Sequence, residues 1–400
     1  MIPPDEALRL VCQHAVALAP RDVALEEACG LQLAQPVAAD RHYPPFARAM
    51  MDGYAVRLGD VGRTVPVVGQ VAAGDRFAGA MEPGGCVEIM TGAPCPPGTE
   101  AVVPKEHVRR SGSQVSLPGQ LRAGQHIAEA GSECPAGRVV LQPGQTITPM
   151  AVAVMASFGI VSVRVVPRPT VAIITTGGEL VPAASEPGEG QIRDSNGPML
   201  AALARDVALE RPSCLHVEDQ LEAILDALER SADHNLVLLT GGVSVGTYDL
   251  VPAALERYGA EVVFHKVRQK PGKPLLFARK QNQLVFGLPG NPLSCHFCFH
   301  RYVAPAAQRM SGKPAPAQAL PGTLTAPVEP KAGRTYFVTA RAEPGEEGQW
   351  LVHPLPTTSS ADIFASWPAN CYAQVPPGKE PIPAGHVLPF TWIGSAPWPY

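Results

Sequence analysis

The side chains that could do chemistry lie in glycine- and proline-rich turns between residues 175 and 294. Carboxylates in such turns suit a hard cation such as Mg²⁺, which bridges to phosphates, whereas lysines and backbone amides suit phosphate or another oxyanion. Together these residue types predict a site for phosphate transfer or for cleavage of a phosphoanhydride. Taken singly, Asp194 could equally cap a helix and Lys270 could be a solvated surface charge. The set comprises Glu179, Asp194, Ser195, Asp249, Lys270, Lys273 and Ser294.

One of these turns, in NLVLLTGGVSVGTYDL (235–250), joins an apolar run to a glycine-rich loop that ends in an acid. It lacks the lysine of a G-x-x-x-x-G-K-[ST] phosphate loop. Backbone N–H groups freed by the glycines can still form an anion-binding nest, reinforced by the dipole of a following helix. The alternative is a plain tight turn between strand and helix. The candidate binding residues of this loop are Gly241, Gly242, Ser244 and Gly246.

A parallel sheet is predicted to position these turns. Between residues 170 and 310, apolar strand-like runs such as TVAIIT and NLVLLT alternate with segments of helical periodicity. This alternation is typical of βαβ units, whose ligands bind beyond the carboxyl ends of the strands. The turns are therefore expected to converge on one edge of a doubly wound sheet.

The flanking segments differ from this central region in their pattern of apolar residues, Gly and Pro. Residues 5–19 have the apolar spacing of one helical face, whereas residues 41–148 consist of short apolar segments separated by Gly and Pro. After about residue 316 a proline-rich boundary is followed again by short strands and turns. The sequence therefore predicts a multidomain α/β protein with β-rich modules on both sides of the doubly wound domain.

Composition excludes several classes of protein. The 400 residues carry a net charge of −4, so there is no broad basic field for nucleic acid or an anionic membrane. The nine cysteines are odd in number and scattered, which favours a reducing compartment over a disulfide framework. No signal peptide is recognisable, and the longest apolar stretch (150–166) is interrupted by polar residues. A cytoplasmic location is expected.

Several motifs, in order, resemble those of the molybdopterin molybdenumtransferases, a family that includes bacterial MoeA and the carboxyl-terminal domain of gephyrin. The resemblance covers nearly the whole chain. The motifs are MMDGYAV (50–56), IMTGAPCPPG (89–98), TTGGEL (175–180), GQIRDSN (190–196), TGGVSVGTYD (240–249), KPGKP (270–274) and GLPGNPLS (287–294).

The resemblance implies an elongated homodimer whose subunits have four domains. Residues 1–40 with 149–168 would form a discontinuous linker domain, and 41–148 an inserted β-rich domain. Residues 169–315 would form the doubly wound, mostly parallel molybdopterin- and nucleotide-binding domain, and 316–400 a β-barrel.

The activity that the resemblance implies belongs to molybdenum cofactor biosynthesis. Molybdate is inserted into the dithiolene of adenylylated molybdopterin while the phosphoanhydride is cleaved with Mg²⁺ and AMP is released. The loop at 240–249 would hold nucleotide or pterin phosphates. The enzyme that adenylylates molybdopterin and the molybdoenzymes that accept the cofactor are further candidate partners.

Motif matches assign roles to particular carboxylates and hydroxyls. Asp52 and Thr91 would come from the β-rich insert of the partner subunit and face the nucleotide cleft; the alternative is turn capping. Glu179 and Asp249 are the candidate metal ligands and catalytic acids. Asp219 in HVEDQLEAI matches a substrate-binding position but could equally cap the following helix.

Four further residues match the molybdate pocket of the family. A tetrahedral dianion needs cationic donors and a hydroxyl near the dithiolene sulfurs. A purely structural KPGKP turn is the alternative. The four residues are Lys270, Lys273, Pro274 and Ser294.

The chain departs from the family pattern at several positions. Gly178 replaces an acid in TTGGEL, and Ala49 replaces the serine before the MDG motif. Thr339 stands where many members carry an arginine that helps to hold oxyanion. Arg334 or Arg341 could substitute for it. In the same terminal region, Ser359 and Ser360 match a serine-containing turn.

Two other interpretations of function remain open at this point. The first is a catalytically weak carrier or scaffold that keeps the pterin cleft, and the second is a molybdopterin adenylyltransferase. Molybdate-dependent release of AMP separates insertion from both, whereas the sequence does not discriminate molybdate from tungstate.

CHFCFH (295–300) offers possible zinc ligands but no second ligand pair, so buried helix cysteines are the favoured interpretation.

Overall fold

The structure is a computed structural model that describes residues 1–241, 250–314 and 319–394. The chain divides into two compact units, of which the larger comprises Met1–Arg21 with Val165–Tyr400 and the smaller comprises Asp22–Arg164. The chain thus leaves the larger unit after its first helix and returns to it before the doubly wound region. The finer division into four domains stays a prediction.

The smaller unit is built mainly from short strands. Its six-stranded sheet has buried residues on both faces, because neighbours such as Tyr54 and Ala55 belong to different hydrophobic clusters. Helix Pro149–Ser157 begins where Thr148 Oγ1 accepts a hydrogen bond from the Ala151 N–H (3.2 Å). In spatial order the strands of the sheet are Ala101–Pro104, Gly53–Val56, Cys86–Ile89, Thr64–Val71, Gln114–Ser116 and Arg109–Ser111.

Smaller sheets complete this part of the chain. Three strands form one sheet in the order Arg21–Ala24, Ser162–Val166 and Gln32–Leu33. Two pairs of strands form the others, Arg48–Ala49 with Ile127–Ala128 and Val37–Ala38 with Val139–Leu141.

The core of the larger unit is a twisted sheet of six strands. The first four strands in spatial order are parallel, and the last two pair antiparallel at one side. The spatial order is Glu210–Val217, Thr170–Thr176, Leu236–Thr240, Gln283–Leu288, Leu276–Lys280 and Glu261–His265. A separate parallel pair is formed by Leu180–Val181 and Ile192–Arg193.

Helices cover both faces of this sheet because its strands are apolar on both sides. Ile173 and Leu238 contribute to one hydrophobic cluster, and Ile174 and Leu239 to the other. The first cluster includes residues of helices Pro4–His14, Asn196–Asp206, Pro292–Cys298 and Ala304–Met310, and of the π-helical turn Phe299–Val303. The second includes residues of helices Leu221–Arg230 and Leu250–Tyr258. The predicted doubly wound domain is confirmed.

The carboxyl-terminal strands close into a barrel. Thr335–Pro344 pairs both with Trp350–Pro354 and with Cys371–Val375, which completes a ring of five strands and removes the free edges. Leu320–Leu324 and Val387–Trp392 are the other two members. The short strand Gln269–Lys270 lies parallel to the first residues of Thr335–Pro344 and joins the doubly wound part to the barrel. The expected terminal barrel is therefore present.

The structure corrects one predicted cap. Helix Leu221–Arg230 begins after Gln220, which occupies the N-cap position without a side-chain hydrogen bond. Asp219 lies one residue too early, so the capping role considered for it is wrong.

None of the helices within the described ranges combines the length and the apolar character of a membrane span.

Candidate active site

A cavity of about 540 Å³ lies at the carboxyl ends of three parallel strands of the larger unit. Thr176 and Thr240 end two of these strands, and Gly290 follows the third. This is where a doubly wound sheet is expected to bind a ligand. The cavity is lined by eight of the residues predicted from the sequence: Glu179, Asp194, Ser195, Gly241, Lys270, Lys273, Pro274 and Ser294.

Other predicted residues do not line this cavity. Asp219 is absent from its lining, and Asp52 and Thr91 belong to the smaller unit. Gly242, Ser244, Gly246 and Asp249 lie outside the described residues. For these seven residues the site assignment stays a prediction.

The carboxylates lie on turns that depend on neighbouring glycines. An added Cβ at Gly177 would be 2.9 Å from Glu179 Oε2. Asp194 Oδ1 accepts a hydrogen bond from the Gly197 N–H (3.0 Å) in the first turn of helix Asn196–Asp206. Asp194 therefore stabilises the start of this helix, as the alternative interpretation as a helix cap predicted. It also lines the cavity.

Asn196 is a buried residue of the cavity that sequence reasoning did not single out. Its Nδ2 donates to Thr240 Oγ1 (3.0 Å) and to the Gly290 carbonyl (2.7 Å), which ties together two strand ends. Its Oδ1 and the hydroxyl of Thr176 are buried without a hydrogen-bond partner in the described part of the chain. Such groups are costly to bury unless a ligand or water satisfies them.

Gly241 is required by close packing. Its φ is +97°, and an added Cβ would lie 2.1 Å from the carbonyl oxygen of Thr176. No side chain fits there, so the backbone after strand Leu236–Thr240 runs directly against the end of the neighbouring strand.

Positive charge concentrates on the barrel side of the cavity. The Nζ atoms of Lys270 and Lys331 lie 5.3 and 5.6 Å from the ring centre of Tyr336. Burial, and then the charges of Lys331 and Arg334, lower the pKa of Lys270. Among the described residues, no carboxylate forms a salt bridge with Lys270, Lys273 or Arg334. An anion in the cavity would relieve this mutual repulsion.

The structure also separates the two arginines considered as substitutes for the missing one. Arg334 lines the cavity, whereas Arg341 does not and lies 4.0 Å from Glu343. Thr339 is buried in the barrel strand at 4% exposure. Arg334 immediately precedes strand Thr335–Pro344, whose first residues pair with the Gln269–Lys270 strand. This position brings Arg334, and not Arg341, to the cavity.

Ser294 and Ser360 complete this side of the cavity. Ser294 lies in helix Pro292–Cys298, hereafter the serine helix, and is 4% exposed. Ser360 accepts a hydrogen bond from Asn291 Nδ2 (2.7 Å). This bond joins the turn before the serine helix to the segment after strand Trp350–Pro354. Ser359 does not line the cavity but accepts a hydrogen bond from the Ala361 N–H (3.2 Å).

In the smaller unit, Asp52 and Thr91 form a pair although 39 residues separate them. Asp52 Oδ1 accepts hydrogen bonds from the Thr91 N–H (2.7 Å) and hydroxyl (2.6 Å), and Lys105 Nζ lies 3.7 Å from Oδ2. The adjacent Gly53 is tightly packed, because an added Cβ would be 2.0 Å from the Val103 carbonyl oxygen. Ala49, which replaces a serine of the family, is buried.

The pair predicts a measurable titration. The Thr91 hydroxyl, then its N–H, and then Lys105 lower the pKa of Asp52 below its usual value. A carboxylate with a depressed pKa stabilises the folded state above its unfolded pKa, and this contribution is lost as pH falls through the folded pKa. Thr91→Val is expected to raise the pKa of Asp52 in a carboxylate NMR titration. Thr99→Val, which removes a hydroxyl that donates to the Pro96 carbonyl, should leave that pKa unchanged. Equal shifts in the two variants would contradict the assignment.

The CHFCFH segment is buried as predicted. Cys295 and Cys298 are fully buried in the serine helix, and burial raises the pKa of the Cys295 thiol to about 12. His296 Nδ1 is hydrogen-bonded to the hydroxyl of Tyr372 (2.6 Å), and burial lowers its pKa to about 4. The interpretation of these cysteines as core residues of a helix is confirmed.

Comparisons with known proteins agree with the architecture. Family models match three successive parts: the MoeA N-terminal region (domain I and II) at residues 2–159, a probable molybdopterin binding domain at 172–309, and the MoeA C-terminal region (domain IV) at 321–392. A molybdopterin biosynthesis MoeA protein from Pyrococcus horikosii superimposes with a TM-score of 0.82 at 26% identity, covering 99% of this chain and 100% of that one. A second, from Pyrococcus horikoshii OT3, gives 0.78 at 28% identity, covering 98% and 100%.

The sequence relatives carry a common name. A molybdopterin molybdenumtransferase of Staphylococcus aureus (strain Mu50 / ATCC 700699) is 32% identical over 97% of this chain and 94% of its own length. One from Staphylococcus epidermidis (strain ATCC 12228 / FDA PCI 1200) is 31% identical over 96% and 93%. Fold and cavity thus define a multidomain α/β protein with a doubly wound domain of the molybdopterin-binding type. The chain belongs to the MoeA family of molybdopterin molybdenumtransferases.

Proposed function

We propose that the protein is a transferase of molybdenum cofactor biosynthesis that inserts molybdate into the dithiolene of adenylyl-molybdopterin. In the same reaction the phosphoanhydride is cleaved in the presence of Mg²⁺ and AMP leaves. The main support is that one cavity is lined both by carboxylates, Glu179 and Asp194, and by cations that form no salt bridge with a carboxylate among the described residues. A carboxylate-flanked nucleotide end and a cationic oxyanion end match the two halves of this reaction.

The oxyanion end would bind molybdate as a substrate. Lys270, Lys273 and Arg334 supply positive charge, and the nearly buried Ser294 supplies a hydroxyl donor. A tetrahedral dianion accepts hydrogen bonds from such donors, which are stronger than bonds between neutral groups. Pro274 closes the KPGKP turn at the cavity wall.

The carboxylate end fits a Mg²⁺ ion. Oxygen ligands are available from Glu179 and Asp194, and the buried Thr176 hydroxyl has no partner among the described residues. Glu179 and Asp249 are the proposed ligands, with Ser195 and Gly241 beside the phosphates. When bound, Mg²⁺ would neutralise phosphate charge during cleavage. Asp219 is proposed to contact the substrate outside the cavity.

Homodimerisation and a cytoplasmic location are part of the proposal. Asp52 and Thr91 would act on the site of a second copy: Thr91 is exposed and Asp52 partly exposed in the smaller unit, and the neighbours of Asp52 lower the pKa of its carboxyl group. No two of the nine cysteines, all of which lie within the described residues, form a disulfide, in keeping with a reducing compartment. The adenylylating enzyme and acceptor molybdoenzymes are the proposed partners before and after the reaction.

The test is AMP release from adenylyl-molybdopterin by the purified protein with Mg²⁺, with and without molybdate. Release that requires molybdate is the expected result. Tight substrate binding without release would identify a carrier or scaffold. The departures from the family pattern at Gly178 and Thr339 would then account for the loss of catalysis. Synthesis of adenylyl-molybdopterin from ATP and molybdopterin would instead identify an adenylyltransferase.

A further inference from the structure

A buried glutamine lies directly beneath the turn that carries the two cavity lysines. Gln269 is fully buried and precedes Lys270 in the chain. Its Nε2 donates to the Gly272 carbonyl (3.1 Å) and lies 3.8 Å from Cys298 Sγ, while its Oε1 accepts a hydrogen bond from the hydroxyl of Tyr302. Both ends of this amide are therefore satisfied inside an apolar core.

The turn itself, residues 270–274 and hereafter the lysine turn, packs onto this amide without an intervening side chain. Gly272 has a φ of +84°. An added Cβ there would be 2.5 Å from Cys298 Sγ and 2.9 Å from Gln269 Nε2. The middle of the lysine turn is thus fixed between the glutamine amide and the end of the serine helix.

The amide connects two segments that contribute to the oxyanion end. Cys298 is the last residue of the serine helix, which begins two residues before Ser294, and Tyr302 belongs to the π-helical turn that follows. Both Cys298 and Tyr302 are fully buried. A hydrogen-bonded amide is directional, whereas an apolar side chain at this position would fill space without fixing the carbonyl of Gly272.

We propose that Gln269 and Tyr302 are positioning residues that hold Lys270 and Lys273 in register with Ser294 for oxyanion binding. Gln269 also lines the cavity, whereas Tyr302 does not. Because the polar atoms of the Gln269 amide are bound to Gly272 and Tyr302, each of the two residues acts through the lysine turn. The identity of the oxyanion as molybdate rests on the proposed function, but the positioning of the turn does not.

The structure offers a matched control for this idea. In the same domain, the hydroxyl of Tyr258 donates to Gln283 Oε1 (2.9 Å), and Gln283 Nε2 donates to the carbonyls of Ser231 and His234. This second buried tyrosine–glutamine pair does not line the cavity. Tyr258→Phe therefore removes the same chemical group from the hydrophobic cluster on the other face of the same sheet, away from the cavity lysines Lys270 and Lys273.

The experiment compares Tyr302→Phe, Gln269→Met, their double variant and Tyr258→Phe in the full chain. Tyr302→Phe and Gln269→Met are expected to raise the molybdate concentration for half-maximal AMP release about tenfold, as the loss of roughly one charge-assisted hydrogen bond would. The KM for adenylyl-molybdopterin should change by less than about twofold, because the residues proposed to hold the nucleotide are not altered. The double variant should be no worse than Gln269→Met, since Tyr302 acts through Gln269.

A readout independent of turnover is hydrogen exchange in the peptide that spans the lysine turn. Tyr302→Phe should accelerate its exchange, and Tyr258→Phe should not. Equal exchange in both variants, or equal shifts in molybdate dependence at matched thermal stability, would overturn the positioning role. A parent protein without molybdate-dependent AMP release would refute the proposed function alone, and the exchange result would still decide the role of Gln269 and Tyr302.

Discussion

Replacing Lys270 by methionine is expected to lower kcat/KM for molybdate by about 10- to 100-fold, the equivalent of roughly 1.5–3 kcal/mol for a hydrogen bond to a charged group. Lys270 lies beside Lys331 and Arg334, and among the described residues no carboxylate forms a salt bridge with it. Its charge is therefore available to an oxyanion. Methionine keeps the length of the stem and its packing against Tyr336 but removes the cation.

The measurement is AMP release as a function of molybdate concentration at saturating adenylyl-molybdopterin. Lys280 provides the control, because its Nζ lies 3.5 Å from the ring centre of Tyr258 and it does not line the cavity. Lys280→Met removes a similar cation–π contact and should leave the molybdate dependence unchanged. Equal losses in the two variants would mean that general stability, and not oxyanion binding, explains the effect.

The pH dependence gives this prediction a second signature. Burial and neighbouring cations lower the pKa of Lys270. Lys270 of the free protein should therefore lose its charge, and the site its oxyanion affinity, at a lower pH than a lysine with an ordinary pKa would. Molybdate affinity is thus expected to fall as pH rises through this lowered pKa. The fall should be absent from the residual binding of Lys270→Met.

Replacing Glu179 by glutamine is expected to lower kcat about 100-fold at a fixed, moderate Mg²⁺ concentration, in line with the several kcal/mol that a metal contributes to charge stabilisation. The carboxylate of Glu179 lines the cavity beyond the end of strand Thr170–Thr176, as does Thr176, whose buried hydroxyl has no hydrogen-bond partner among the described residues. Glutamine preserves shape but removes one negative charge. The Mg²⁺ concentration for half-maximal activity should therefore rise.

The assay is a Mg²⁺ titration of AMP release with molybdate held constant. Glu189→Gln is the matched control, because Glu189 is exposed in the loop between strands Leu180–Val181 and Ile192–Arg193 and does not line the cavity. Partial recovery of Glu179→Gln at high Mg²⁺ is expected if the carboxylate holds the ion. Low activity at every Mg²⁺ concentration, with an unchanged half-saturation value, would assign Glu179 to another task.

The arrangement of the main sheet could be predicted from sequence because its parallel strands are buried on both faces and are therefore uniformly apolar. Strands Thr170–Thr176 and Leu236–Thr240 were identified in this way, and glycines mark their ends. Since the carboxyl ends of parallel strands share one edge, the convergence of Glu179 and Asp194 with the lysine turn followed from topology alone.

Long-range polar contacts could not be predicted in this way. Asn196 and Gln269 look like ordinary turn and strand residues in the sequence, and only the fold brings Thr240 to the first and Tyr302 to the second. Their partners lie 44 and 33 residues away, beyond any local pattern.

Local caps were also hard to assign from one sequence. Asp219 precedes an amphipathic segment and has Glu222 three residues later, yet the helix begins at Leu221. Asp52 precedes Gly53, the pattern of an Asx turn, but its Oδ1 accepts hydrogen bonds from Thr91 in a distant turn. For Asp52, tertiary packing decided which donors the carboxylate reaches.

The most direct test of the account measures molybdenum itself. Purified protein would be incubated with adenylyl-molybdopterin, Mg²⁺ and molybdate, and the molybdenum bound in the pterin product would be compared with the AMP released. We expect equal amounts of the two, transfer of the product to an apo-molybdoenzyme that becomes active, and a decrease of both signals in Lys270→Met when molybdate is limiting. AMP release without molybdenum in the product would contradict it, because the cavity would then be hydrolysing the nucleotide without inserting the metal.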